Sequence, residues 1–499
     1  MQRPPERRRR PLLDRPAALA RSDDAFDPAA SYARFLLRSL GLEIEVPDRA
    51  DPRSPALEWA LSGAMALTGV AAGPPGFARG PLASAAHGAG LALAALVPGR
   101  GFEDLDAPAL LAERAALFGF TRQGGASCGG SARLLPTRLL PNRLLPNRRG
   151  WLALNLPRDE DWQLLPAWLE IALPNLERTR DWSAVERALA GRACEPLVLR
   201  GREIGLAVAE ALLKPIRPDA PFRLEHETRA AIARPRPRVL DLSTLWAGPL
   251  AGSLLAQAGA EVLKVESPHR PDGARLGEQQ FFSLLNAHKH GCALDLAARP
   301  DREIFVRLLE SADIVLESAR PRALAQLGID ARAWVEARPG RIWASITGYG
   351  REHEWIAFGD DAAVAAGLAF DPGSESSPPR FCADAVADPL TGLVAAVAIT
   401  ALRARGRGGL LSLALAEVAA HAAHAPHTLH THHTLHATPQ SSLASLTLPL
   451  EQRVDGEWWV QDAERSTRVA PPRAREAHGR PPALAPPNAS LVERWTRAC

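Results

Sequence analysis

The sequence predicts an α/β fold: a doubly wound parallel sheet with a small α+β domain attached. Two observations predict it. From residue 237 onward, apolar strand-like runs alternate with helical segments, which is the pattern of a parallel sheet covered on both faces. Ahead of that, residues 133–230 mix one clear strand with short amphipathic helices. The first repeating unit is the sharpest. Arg238–Leu242 is a short apolar run, Ser243–Gly248 a turn, and Pro249 suits the first turn of a helix, where a missing N–H costs nothing. Small residues follow to Gly259, and Ala260–Glu266 reads as the next strand. No GxGxxG accompanies this β–α–β unit, so a dinucleotide site has no support. Further strands are expected near Cys292–Leu296, Ile314–Glu317 and Ile342–Ile346, with helices at about 301–311 and 321–337. In the smaller domain Gly150–Pro157 is the strand. Helices are expected at Pro166–Leu173 and Asp181–Leu189, the latter with Trp182, Val185 and Leu189 on one face.

Composition narrows the function class. A net charge of +3 argues against a nucleic-acid or membrane-surface protein as a whole, and Arg7–Arg10 reads as a disordered basic tail. No run long enough and apolar enough to span a bilayer is expected. Cysteines 128, 194, 292, 382 and 499 lack CxxC spacing, as expected of reduced thiols in a soluble cytoplasmic protein.

Five regions are expected. Residues 1–54 form a flexible lead-in with one helix, and 55–132 a small-residue helical pair ending in the loop GGASCGG (124–130). Residues 133–230 form the small α+β domain, 237–416 the doubly wound domain, and 417–499 a His-rich tract with a coil-like tail. The 55–101 and 361–408 stretches share a small-apolar helix, a Pro/Gly loop, a second small-residue helix and a closing GRG, which suggests a divergent duplication. Aligning Gly90 with Gly392 sets Ala86 opposite Asp388, so one active centre per chain is expected. The repeat LLPTRLLPNRLLPNR reads as an insertion in a surface loop. The histidines of 421–436 are irregularly spaced and lack acidic or Cys partners, so low complexity is preferred over a metal site.

Asp388, in CADAVADPLTG, is the carboxylate that stands out. From the residues alone an N-cap is the simpler reading, and a nucleophilic or basic carboxylate in a partly desolvated pocket is the alternative. Asp384 is a second candidate.

An ordered set of phrases then resembles a known family. These are VLDLS (239–243), AGP (247–249), GAEVLKVE (259–266), Asn286 and Lys289 ahead of Leu294–Leu296, ADIVLES (312–318), LGID (327–330), SITGYG (345–350) and ADPLTG (387–392). Together they resemble the class III CoA-transferases of the CaiB/BaiF type, which include formyl-CoA and carnitine CoA-transferases and α-methylacyl-CoA racemases. The resemblance implies a Rossmann-like domain that binds CoA. It implies that Trp246, Ala247, Ser267, Leu294, Asp295, Leu296, Ala297, Ser318, Ala319 and Arg320 border the nucleotide, together with Asp360 and Asp361. It makes Asp388 the nucleophile of an acyl-CoA:carboxylate CoA-transferase acting through an acyl anhydride and an aspartyl-CoA thioester. Coenzyme A and acyl-CoA would then be substrates, with a carboxylic acid as acceptor and no bound cofactor or metal. Gly124, Gly125, Gly129 and Gly130 hold the place of the family's mobile glycine loop, so 124–130 is the candidate lid.

The departures are as informative. The small domain precedes the CoA-binding part instead of following it, which leaves a homodimer or a single-chain pseudo-dimer open. Ser267 and Asp360 stand where the family more often has Arg and Tyr. The racemase phrase G-H-D is Gly359-Asp360-Asp361 here, so the transferase reading ranks above the racemase, and a catalytically weak CoA-binding scaffold ranks third.

Overall fold

A computed structural model of the chain describes residues 26–138, 149–172, 175–213, 216–229, 234–373, 377–430, 446–463 and 465–497. Three sheets organise it. The first is antiparallel, ordered β1 (Ala132–Arg138), β2 (Arg149–Asn155), β3 (Ala207–Glu210), and it carries the helices between Asp159 and Glu203. Trp162, Leu165, Trp168 and Val198 fill the space beneath it, and Trp168 Nε1 donates to Leu197 O at 2.8 Å.

The second sheet has seven strands. In chain order they are β4 (Arg223–Arg229), β5 (Arg238–Leu242), β6 (Glu261–Glu266), β7 (His290–Ala293), β8 (Ile314–Glu317), β9 (Ile342–Thr347) and β10 (Arg407–Ala414). Their spatial order is β4-β10-β9-β8-β5-β6-β7, parallel throughout except for β4, which runs antiparallel to β10. The Rossmann-like doubly wound sheet is therefore present. Its strand order reverses between β5 and β8, and the crevice outside their carboxyl ends is where such sheets bind ligands. A third, small antiparallel sheet, β11 (Leu450–Gln452), β12 (Trp458–Gln461) and β13 (Ser466–Arg468), lies near the carboxyl end of the chain.

The largest of three apolar clusters joins Tyr32, Leu36 and Leu82 of the first hundred residues to Val394, Leu411 and Val460. Its centre is the helix Ala387–Ala404, flanked by Ala247–Gln257 and Leu82–Leu96. Small residues make this possible. A Cβ at Gly392 would stand 2.7 Å from Ala247 O, and one at Gly88 would stand 2.5 Å from Ala29 O. Only hydrogen fits at such distances.

Several sequence expectations are corrected here. Strand β4 belongs to the large sheet, not to the small domain, because its backbone pairs with β10. The 55–132 stretch is helical as expected, and its helices pack into the common core. The lead-in helix, Pro28–Ser39, is packed against Leu82–Leu96 and not flexible, while residues 1–25, including Arg7–Arg10, lie outside the described residues. Leu134–Arg138 of the tandem repeat is strand, with Leu134 and Leu135 buried, and 139–148 lies outside the described residues. The helix expected at Pro166 begins earlier, at Asp159, because Asp161 Oδ2 accepts the Arg158 N–H at 2.9 Å and caps the first turn. The helix expected over 321–337 is two, broken at Gly328 (φ 76°) and restarted by the Asp330 cap.

The carboxyl-terminal part is coil over 469–488, as expected, but not throughout. His421 sits on the helix Leu415–His430, buried, with Nδ1 3.4 Å from Tyr32 Oη, so the histidine tract begins inside the core. Residues 431–445 lie outside the described residues. Pro482 lies against Gly291, Ala293 N–H donates to Ala485 O at 2.7 Å, and Trp495 is fully buried against the outer layer of the large sheet. Finally, Ala387–Ala404 is long and apolar enough to cross a bilayer, contrary to the sequence expectation, although 78% of it is buried inside the protein.

Because the core is continuous, residues 237–499 expressed without the first half should not reach a native state. Near-ultraviolet circular dichroism and solubility would check this; a cooperative thermal transition in the isolated fragment would show that the amino-terminal helices are dispensable to the fold.

Candidate functional site

The strand-end loops are set by buried charge. Asp241 on β5 pairs with Lys289 Nζ at 2.7 Å, and Lys264 on β6 pairs with Asp272 at 2.9 Å, all four side chains fully buried or nearly so. Lys264 Nζ also donates to Ser243 O, Asp241 accepts from the Ser243 N–H, and Asp272 accepts from the Leu245 N–H at 2.9 Å. Leu245 has φ 68°, a left-handed conformation unfavourable for a branched residue, and these bonds hold it there. Burial pulls the Lys289 ammonium down to about 8, with Asp241 opposing and Lys264 adding to the effect.

This frame presents the expected nucleotide-bordering residues at the carboxyl edge of the sheet. Trp246 and Ala247 open the helix after β5, and Trp246 is buried edge-on against Phe281 at 5.3 Å. Ser267 follows β6 and accepts the His269 N–H at 3.3 Å. Leu294, Asp295, Leu296 and Ala297 follow β7; Asp295 accepts the Ala297 N–H at 3.0 Å and faces His269 Nε2 at 3.3 Å. Ser318, Ala319 and Arg320 follow β8, and Ser318 Oγ accepts the Thr244 N–H at 3.1 Å across the switch point. A cavity of about 390 Å³ lies beside these loops, lined by Glu317, Arg320, Trp343 and Arg351 among others; Asp388 is not part of it.

Asp360 and Asp361 come from the helix Gly359–Ala365, and the structure brings them together with Asp388 in a buried cluster of carboxyl groups. Val386 is the cap of the helix Ala387–Ala404, so Asp388 lies inside the first turn and is not the N-cap. Its carboxyl accepts from the Gly359 N–H, and a Cβ at Gly359 would stand 2.3 Å from Asp388 Oδ2. Asp360 Oδ1 accepts the Ala385 N–H at 2.9 Å. Asp361 Oδ1 accepts from the Phe358 N–H at 3.0 Å and from Asn155 Nδ2 of the small domain at 3.2 Å.

Asp384 completes the cluster, and its partner is a residue that sequence reasoning missed. Arg114, on the helix Glu113–Phe118, donates to both Asp384 oxygens at 2.9 and 2.5 Å, with its guanidinium 5.2 Å from the Trp246 ring centre. No spacing rule links residues 270 positions apart, so only the fold reveals the pair.

Burial dominates the electrostatics. It pushes the Asp388 carboxyl up to about 7, against the pull of Arg114 and with a further push from Asp360. Asp360 is raised to about 6 by burial and by Asp384, and Asp361 to about 7 by burial, with the Phe358 N–H and Asn155 opposing. A carboxyl group with a pKa near neutrality ionises easily at pH 7 and is more basic than a free aspartate, so it can serve as nucleophile or proton acceptor.

The glycine loop touches this cluster. Phe381 N–H donates to Gly124 O at 3.1 Å, Leu134 N–H to Gly125 O at 2.7 Å, and Cys128 Sγ approaches Ala383 O at 3.4 Å. Gly129 rests against Phe120, and Gly130 takes φ 77° with open space around it. Burial, then Asp384 and Asp360, drives the Cys128 thiol well above its usual range, so it stays protonated. Among the described residues no group of three or more His, Cys, Asp or Glu is placed to hold a metal ion.

Comparison with known proteins follows the large sheet. Residues 237–448 match CoA-transferase family III. Succinyl-CoA--D-citramalate CoA-transferase of Chloroflexus aurantiacus is 32% identical over 190 residues, which cover 35% of this chain and 47% of that one. Formyl-CoA:oxalate CoA-transferase of Streptomyces coelicolor is 32% identical over 195 residues, covering 36% and 46%. A CAIB/BAIF family protein from Brucella suis, of known structure, is 25% identical with a TM-score of 0.38, over 46% of this chain and 66% of that one. The chain spans about half the length of the curated relatives it matches.

Gly359→Ala should destabilise the protein by about 1–3 kcal/mol, because the new methyl group would overlap both Asp388 Oδ2 and Ala385 O. Chemical denaturation measures this, and an unchanged midpoint would mean that the two backbones separate at no cost.

Proposed function

Residues 237–448 belong to CoA-transferase family III, and from that premise we propose that the chain is an acyl-CoA:carboxylate CoA-transferase with Asp388 as its nucleophile. The observation that carries the reading is the position of Asp388. It is a carboxyl group raised to about 7, one helical turn from Gly392, which packs against Ala247 at the start of the helix after β5. The donor's nucleotide lies along Trp246, Ala247, Ser267, 294–297 and 318–320.

The ionised Asp388 oxygen attacks the thioester carbonyl; the C–S bond breaks, and CoA leaves as its thiolate, giving an acyl–aspartyl anhydride. The thiolate then attacks the aspartyl carbonyl, releasing the donor acid and leaving an aspartyl-CoA thioester. An acceptor carboxylate attacks that thioester, and the thiolate returns to the acceptor's carbonyl and frees Asp388. Each intermediate is open to water, so the loop 124–130 docked over Phe381 and Ala383 serves as the cover. Asp361 and Asn155 tie the small domain to the same site. The free cysteines 128, 194, 292 and 382 accord with a reducing, cytoplasmic setting.

Asp360 beside Asp388 supports a second reading, the racemase, in which two carboxyl groups of raised pKa exchange a proton at the α-carbon of a thioester. Exchange of solvent deuterium into that carbon without transfer would select it.

The test is hydroxylamine trapping with a panel of acyl-CoAs. Wild-type protein should yield an aspartyl hydroxamate at residue 388, and Asp388→Asn should lose turnover by ~10³-fold or more with CoA binding retained. Since the anionic form reacts, kcat/KM should rise with pH and level off above about 7. Activity in the Asp388→Asn protein above a few per cent of wild type would sink the covalent role.

A further inference from the structure

The segment between Cys382 and Asp388 is under backbone strain. Ala383 and Ala385 take φ 55° and 46°, a left-handed conformation that alanine adopts only under external constraint, and they flank Asp384. Each residue of this turn is held from elsewhere. Ala383 N–H donates to Thr68 Oγ1 at 2.9 Å, Asp384 takes both nitrogens of Arg114, and Ala385 N–H donates to Asp360. The turn in turn fixes the nucleophile, because Asp388 N–H donates to Ala385 O at 2.9 Å.

Arg114 is itself anchored. Its neighbour Glu113 is buried and accepts from Arg475 Nε at 2.7 Å and Nη2 at 2.9 Å, and from the Arg475 N–H at 3.1 Å. The Trp246 and Phe120 rings lie 5.2 and 5.9 Å from the Arg114 guanidinium. The charged groups facing Asp388 from the surrounding elements are Asp360, Asp384 and this guanidinium.

We infer that Arg114 is the positioning residue for Asp388: it clamps the strained Ala383–Ala385 turn through Asp384 and supplies the positive charge facing the three carboxyl groups. The inference rests on the transferase reading for its kinetic consequence but not for its structural one. A lysine would keep the charge and lose the fork that grips two oxygens. A glutamine would lose both.

Two measurements on the full chain test it. In protein labelled with ¹³C at aspartate carboxyls, the Asp388 signal is assigned by its absence from Asp388→Asn. Removing a nearby positive charge disfavours the anion, so in Arg114→Gln the Asp388 midpoint should move up by about one pH unit or more, and in Arg114→Lys by less. In steady-state kinetics Arg114→Gln should cut kcat by about 100-fold with KM for acyl-CoA changed under about threefold, and Arg114→Lys should recover part of kcat. Asp384→Asn, which leaves the guanidinium in place, should lower kcat and leave the midpoint near or below the wild-type value. An unmoved midpoint in Arg114→Gln would overturn the inference, as would a loss of kcat that merely tracks lost thermal stability. Should Arg114→Gln fail to fold, the lysine and asparagine variants decide the same question. If wild-type protein traps no acyl-enzyme while Arg114→Gln still shows the shifted midpoint, the transferase reading falls and Arg114 keeps its place.

Discussion

The helix Ala387–Ala404 can cross the sheet where it does only because position 392 carries no side chain. Gly392 meets the Ala247 carbonyl of the helix after β5, and a methyl group there would force the two apart. Asp388 is one turn earlier on the same face, so the contact that packs the core also fixes where the helix that carries the carboxylate begins. The packing has a cost elsewhere. An 18-residue apolar helix must be covered on every side, and the sheet covers only one. The helices Ala247–Gln257, Leu82–Leu96 and Leu415–His430 cover the rest, so an amino-terminal helix that adds no strand to the large sheet is part of its packing.

Charge at the site follows from the same burial. Moving the Asp388 carboxyl from 3.8 to about 7 corresponds to about 4 kcal/mol of disfavoured ionisation at 1.36 kcal/mol per unit. Arg114 opposes this and does not cancel it, since one guanidinium serves three carboxyl groups and is committed by two hydrogen bonds to Asp384. The folded state therefore binds protons on Asp388, Asp360 and Asp361 that the unfolded chain releases between about pH 4 and 7. The sign is fixed by linkage: these groups favour the fold most below pH 4 and progressively less as the pH rises through 6 and 7. The buried pairs Asp241–Lys289 and Lys264–Asp272 serve geometry instead, since they have full partners and hold Leu245 in a conformation it would not otherwise keep.

What the sequence disclosed was whatever local pattern encodes. Arg238–Leu242 and Ile314–Glu317 are strands to the residue, because a strand buried on both faces is a run of apolar letters with nothing to blur its ends. The sheet-edge residues could be named because each follows such a strand. Asp388 stood out by its apolar surroundings, although the same surroundings suggested a cap that Val386 in fact provides. Long-range pairing was invisible. Arg114 sits in an ordinary amphipathic stretch, Asn155 in a strand and Arg475 in a proline-rich tail, and nothing nearby marks any of them. Composition misled in the tail and in the histidine tract, where low complexity was taken for lack of structure. Trp495 and His421 are buried because the core offers them partners, which no window of sequence can reveal.

The unusual order of parts acquires a physical sense from these long-range pairs. Thr68, Arg114 and the 124–130 loop come from the first quarter of the chain, Asn155 from the small domain, and all converge on residues 361–388. Contacts to this one segment thus come from distant parts of the same polypeptide. The duplication proposed from sequence aligns Asp388 with Ala86, which is buried in the core against the helices that enclose it. A second carboxylate at that position would be buried, and burial of a charge is costly unless it is paired. The amino-terminal stretch carries no charge at that position, and it contributes the arginine, the threonine and the glycine loop that contact residues 381–384.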